Sequence, residues 1–341
     1  MTRLSPALLC LVALLPPLPA PAAEVDHAQI RDGALEVLVR QVGAFRSATA
    51  SLNNVAEDVC AERAAPETLA LAVGDAWRAW APLDSYQFGP VEQAGAALSI
   101  NFWPDKKDFV GRGLDALQAL PEDVQARADG VASVSAAAQG LPALERLLTS
   151  DRPVCPAALG IAAHVQAVAD ALYEGWFSSD GWAQLMRTAG PANPVYLSDE
   201  EVTRTFFTAA DFGLERVAEY RLGRPLGDYD RAFPRRAEAW RLGLSASIAD
   251  AQLEGVAELV EGAFAPAAPE ETVDRYFTVS KAARERLAAI KPPLHEAVDD
   301  QMGHLRVEAV QTRVQELRTI LADDMGPVLG VETGFSAADG D

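Results

Sequence analysis

Long apolar runs, histidines, cysteines and clusters of basic residues are all scarce in this chain, and each scarcity excludes something. The N-terminal apolar stretch, residues 7–15, is nine residues long, about half the roughly 20 that a bilayer-crossing helix needs. No later stretch approaches that length, so no membrane span is expected. Four histidines and three cysteines leave few soft donors for a tight transition-metal site, which usually takes three or four protein ligands. Acidic side chains outnumber basic ones 49 to 29, for a formal net charge of -20. No Lys/Arg run with interleaved aromatics offsets that charge, which excludes nucleic acid and disfavours anionic membrane surfaces as partners. A Walker loop and a G-x-S-x-G elbow are both missing. Gly111-Arg112-Gly113-Leu114-Asp115-Ala116 matches G-x-G-x-x-A in letters alone, because it follows the charged helical segment 105–108 and not a buried strand.

What is present is helical periodicity. Leu35, Leu38, Val42, Phe45, Leu52 and Val59 keep a/d spacing, with Thr49 and Ala56 at intermediate seam positions. That pattern predicts a helix of about 35 residues, near 50 Å long at 1.5 Å per residue. Val307, Val310, Val314, Leu317 and Leu321 repeat it near the C-terminus. Ile161, Val165, Val168 and Leu172 mark a further face, as do Leu253, Val256 and Val260. Seams of this kind bury against one another, so the fold class is all-α, built of helical bundles. A chain of 341 residues can bury roughly 75% of its unfolded surface and needs neither metal nor disulfide merely to fold. The Gly- and Pro-rich stretch 190–198, ending at the candidate N-cap Ser198, divides it nearly in half. Two bundles are expected, 23–190 and 191–341. The Gly- and Asp-rich residues 330–341 are expected to be non-helical.

The first 22 residues read as an export signal. Arg3 precedes the apolar run, Pro16, Pro17 and Pro19 end any helix, and Ala20-Pro21-Ala22 offers an A-x-A cleavage site. The product would be periplasmic. Cys10 would leave with the signal, and Cys60 and Cys155 remain. In an oxidising compartment these two either pair or stay as separate buried thiols.

Candidate chemistry is sparse. His295-Glu296-Ala297-Val298-Asp299 is one residue away from the H-E-x-x-H zinc pattern, with Asp where the second His belongs, and also reads as a polar helix start after Pro292-Pro293. His304 and Glu308 form an ordinary i,i+4 pair. His164 borders the apolar face of Ile161 and Val168. The first half gathers aromatics beside irregular backbone: Trp77, Trp80, Tyr86 and Phe88-Gly89-Pro90, then Phe102-Trp103-Pro104-Asp105. Such a grouping fits either a pocket or an aromatic plug at the bundle end. In Gly140-Leu141-Pro142-Ala143-Leu144-Glu145, Pro142 suits a first helical turn, and Glu145 lies near the positive helix end.

Taken in order, several segments resemble the imelysin family of bacterial cell-envelope proteins. They are Ala76-Trp77-Arg78, Phe88-Gly89-Pro90, Ile100-Asn101-Phe102-Trp103-Pro104-Asp105-Lys106-Lys107, residues 140–148, Ala237-Glu238-Ala239-Trp240-Arg241 and the ending at 329–341. The resemblance implies two helical bundles related by duplication, and a site between them built around G-x-H-x-x-E. It also implies a link to iron acquisition, with metallopeptidase activity in some members. Gly140 and Glu145 match the ends of that motif, but Pro142 stands where the histidine belongs. Proline has no lone pair to offer a metal or a proton. Either another residue substitutes, His164 being nearest in sequence, or the metal chemistry is lost and the fold kept.

The expectation is therefore a non-enzymatic periplasmic protein that holds a ligand, a metal or a protein partner in a cleft between its bundles. Glu145, Trp103, Asp105, Arg78 and Arg112 are the candidate cleft residues, with Glu145 facing a cation and the arginines an anionic group. Glu145 and His164 are the candidate ligands for a divalent or ferric ion, the one cofactor considered. The candidate partners are that ion or a small ligand, and an envelope or iron-transport protein. The alternative activity is a metal-dependent peptidase.

Overall fold

The computed structural model describes residues 25–228 and 231–331. The export segment 1–22, Cys10 and the tail from residue 332 lie outside the described residues. The predicted long seam is helix α1, His27–Cys60, started by the Asp26 carboxylate, which accepts the Gln29 N–H at 2.9 Å. Its buried positions include Leu35, Leu38, Val42, Phe45, Thr49, Leu52 and Ala56. Helix α2, Pro66–Trp80, begins on a proline, where the missing N–H costs nothing. Helix α3, Phe109–Gln118, and helix α4, Leu141–Leu148, are short. Helix α5, Ala157–Phe177, lies along α1. The disulfide Cys60–Cys155, Cα–Cα 5.8 Å, joins the last residue of α1 to the approach to α5.

The second half opens with helix α6, Asp199–Glu215. Ser198 caps it and three acids occupy its first turn, matching the helix dipole. Helix α7, Ser245–Leu259, helix α8, Glu270–Ala288, and helix α9, Gln301–Thr319, follow. The second predicted seam, Val307 to Leu317 in steps of three and four, is buried along α9. Three of these helices, α6, α7 and α9, run on into wide i→i+5 turns at Arg216–Leu222, Val260–Phe264 and Ile320–Met325. The described residues are 73% helical, and no strand forms among them. Among them, too, no helix is long and apolar enough to cross a membrane.

Packing centres on α1, which touches α2 and α5 from the first half and α6 and α7 from the second. Its crossing with the wide turn at Val260–Phe264 is backbone against backbone. A Cβ built on Gly33 would lie 2.0 Å from the Gly262 carbonyl oxygen, so only glycine fits there. Further along, the Gln41 amide donates to the Gly255 carbonyl at 3.0 Å. At its N-terminal end Arg31 pairs with Asp199. The buried apolar side chains form one continuous core running through both halves.

Candidate functional site

Beyond the ends of α2 and α6 lies a buried group of charges. The single turn Leu83–Ser85 follows α2 and buries Asp84. The wide turn Arg216–Leu222 extends α6, and its i→i+5 spacing lets both Arg216 and Arg221 reach the same Asp84 oxygen, Arg221 at 3.1 Å. Arg221 also donates through Nε to Glu238 at 2.6 Å. Glu238 accepts two more hydrogen bonds, from the Asn101 amide at 2.6 Å and the Trp77 indole at 3.2 Å. Asp84, Arg221 and Glu238 are each 1% exposed. Two guanidiniums against two carboxylates leave no net charge, which is what makes burial at this depth tolerable. Burial alone would depress the Arg216 guanidinium, but Asp84 and then Glu238 outweigh it and hold its pKa above the usual value.

Beside this group, with Trp77 common to both, opens a cavity of about 1150 Å³. Trp77, Trp103, Asp105, Pro142 and Glu145 line it from the first half. The second half supplies Glu215, Glu219, Tyr220 and Arg224, residues from the stretch 231–241, and Asp299. Glu145, at the middle of α4, is 3% exposed. Its Oε1 accepts the backbone N–H groups of Arg241 at 3.0 Å and Leu242 at 3.4 Å. These are unsatisfied donors at the start of the turn Trp240–Leu242. The Arg241 guanidinium stands 3.6 Å from the other oxygen. Burial raises the Glu145 pKa, with Arg241 and the two N–H groups working against it.

The remaining lining is cationic and aromatic. Arg224 lies over the rings of Tyr220 and Trp103, 4.7 and 5.6 Å from their centroids. Arg236 and Arg231 share Phe233 at 3.7 and 5.0 Å, and Arg241 and Arg235 share Trp240 at 4.5 and 5.8 Å. An aromatic face attracts a guanidinium and fixes its direction without cancelling its charge.

Three of the five sequence-predicted cleft residues, Glu145, Trp103 and Asp105, line this one cavity. Asp105 is engaged at its rim, accepting the N–H groups of Phe109 and Val110 at 2.7 and 3.1 Å as the cap of α3. Arg78 and Arg112 do not line it. Arg78 pairs with Asp75 at 2.5 Å, and Arg112 donates to the Lys107 carbonyl at 2.7 Å. His164 does not line it either; it packs beside the backbone of Ala128, and desolvation pushes its imidazole below the usual pKa. The aromatics divide as well: Trp80, Tyr86 and Phe88 belong to the core, while Trp77 and Trp103 reach the cavity.

The imelysin family model, peptidase M75, matches residues 41–321. The chain belongs to the imelysin family. No curated protein matches it. Among solved structures it resembles an imelysin-like protein from Psychrobacter arcticum 273-4, with 18% identity and a TM-score of 0.74 over 93% of this chain and 100% of that one. It also resembles a protein described as an iron-regulated protein A precursor from Parabacteroides distasonis ATCC 8503. There the identity is 12% and the TM-score 0.66, over 89% of this chain and 97% of the other. At these identities the likeness is one of fold.

In this imelysin the donor set around Pro142 and Glu145 does not suit a metal ion. Pro142 offers no donor, and Glu145 spends one oxygen on backbone N–H groups and faces Arg241 with the other. Among the described residues no three His, Cys, Asp or Glu side chains converge as metal ligands, His295 and Asp299 included. Gly140 has a packing reason to be glycine: a Cβ there would lie 2.2 Å from the Ile100 carbonyl oxygen and 2.4 Å from that of Ser99. Sequence reasoning missed Asp84, Arg216, Arg221 and Glu238. One signal was available, because Arg221 occupies an inward position beside Val217, Ala218 and Leu222, all of them buried.

Proposed function

We propose that this imelysin is an exported, periplasmic, non-enzymatic protein that holds a ligand in the cavity between its two halves, in a context of iron acquisition. The halves are taken as duplicated bundles, 23–190 and 191–341, with residues 1–22 removed on export. The observation that carries the reading is a cavity of about 1150 Å³ whose walls come from both halves around Pro142 and Glu145. A space of that size suits a small molecule, while its donors suit no metal ion. The disulfide Cys60–Cys155 is in keeping with an oxidising compartment. The iron context draws on the family resemblance and on the description of the Parabacteroides distasonis relative as iron-regulated.

The test is titration calorimetry with ferric, ferrous, zinc and cupric ions, beside elemental analysis of protein purified from its native compartment. Weak and equal metal binding by the wild type and Glu145→Ala is expected; tight uptake gained only in Pro142→His would mean that position 142 alone decides chelation. One tightly held ion per wild-type chain would overturn the reading. The family's designation as peptidase M75 favours a second one, a metal-dependent peptidase. That reading requires chelator-sensitive cleavage of an unfolded protein substrate.

A further inference from the structure

We propose that the cavity is a receptor for a small polyanion, a molecule carrying two or more carboxylate or phosphate groups, gripped by Arg224, Arg235, Arg236 and Arg241. The proposal deepens the ligand-holding reading above and rests on it.

It starts from an imbalance. The chain as a whole carries 49 acids to 29 bases, yet seven lining side chains of the cavity are Lys or Arg and five are Asp or Glu. The two sets are also employed differently. Asp105 caps α3, and Glu145 holds the turn at Trp240–Leu242. Glu215 pairs with Arg318 at 3.1 Å, and Glu219 accepts from the Gln315 amide at 3.2 Å. Asp299 is the one acid of the five without such an engagement among the described residues. In contrast, no carboxylate among the described residues stands within ion-pair distance of Arg224, Arg235 or Arg236. Their fixed partners are the rings of Tyr220, Trp103, Trp240 and Phe233. The local field facing the cavity is therefore positive, and its sources are held in place but not neutralised.

The arginines also crowd one another. Arg224 has its pKa lowered, first by desolvation and then by Arg216 and Arg236. Arg241 is lowered by desolvation and then by Arg146. Like charges gathered on aromatic supports are relieved by an entering anion, and guanidiniums match the planar oxygens of carboxylate and phosphate two at a time. Several arginines around one space call for several anionic groups on one ligand. An anionic ferric chelate of a polycarboxylate belongs to this class, since it brings metal donors of its own to a cavity that supplies none.

The experiment is titration calorimetry at low salt with citrate, ferric citrate and tripolyphosphate. Glucitol serves as an uncharged probe and putrescine as a cation. The proteins are wild type, Arg224→Gln, Arg236→Gln and, as a control, Arg127→Gln on the outer surface. The expected result is one polyanion per chain, weakened about tenfold or more in each cavity variant (~1.4 kcal/mol). The Arg127 control binds as wild type, and added salt weakens binding. Citrate against tripolyphosphate shows which oxyanion is preferred. Arg224 and Arg236 are partly exposed and exposed, respectively, and unchanged circular dichroism establishes that their variants fold. Polyanion binding undiminished in both cavity variants, or no polyanion binding at millimolar concentration, overturns the proposal. In the latter case, glucitol or putrescine binding that Trp103→Ala abolishes would leave the cavity reading standing. Silence from every probe would remove that reading too.

Discussion

Glu145 and Arg241 are joined through the backbone, the carboxylate accepting the Arg241 N–H at 3.0 Å across 96 residues of sequence. This contact clamps α4 of the first half to the turn Trp240–Leu242 of the second. Glu145 thus has a structural occupation in this chain that needs no ion.

Replacing Glu145 with Ala leaves two backbone donors without their partner and should destabilise the fold by about 1–3 kcal/mol, measured by urea unfolding. Glu145→Gln keeps an acceptor and should lose less. The carboxyl pKa is raised in the fold, so the native state binds its proton more readily than the unfolded chain does. As pH falls through the raised value toward the ordinary carboxylate range, wild type should gain stability relative to Glu145→Gln. A difference between the two proteins that stays flat with pH would refute this assignment.

Arg221 is the keystone of the buried charges. Arg221→Met strands Glu238 and weakens the hold on Asp84, each 1% exposed, at an expected cost of about 3–5 kcal/mol. The double variant Arg221→Met with Glu238→Gln should recover part of that loss. Thermal melts of the single and double variants give the comparison, and additive losses would show that the two side chains do not interact.

Gly140 should not tolerate a side chain. A methyl group there meets two carbonyl oxygens of the 96–100 segment, so Gly140→Ala should cost about 2 kcal/mol or more through overpacking. A melting temperature equal to that of wild type would show that the segment moves aside freely.

The disulfide closes a loop with a sequence separation of 95. On the chain-entropy estimate its loss removes about 4–5 kcal/mol. Denaturant unfolding of Cys60→Ser/Cys155→Ser against the oxidised wild type should show a midpoint shift of that order, and reduction of the wild type should reproduce it.

The long seams could be read directly because burial along a helix is periodic. Leu38, Val42, Phe45 and Val310, Val314, Leu317 each announce a buried stripe within their own segment. The cavity wall has no such local signature. Arg235, Arg236 and Arg241 sit in an irregular stretch where no period applies, and their neighbours Trp103 and Tyr220 arrive from distant parts of the chain. Asp84 and Glu238 become a pair of carboxylates around Arg221 only once α2 and α6 have packed. Arg78 belongs to a family-like segment and Arg112 to the stretch just after one, but neither side chain lines the cavity. A motif match locates a segment without fixing the direction of each side chain.

Because α1 of the first half packs directly against helices of the second, with Gly33 seated against Gly262 at one crossing, moving the halves apart like two jaws would part that seam. A guest would then enter and leave the cavity with the two halves still in contact.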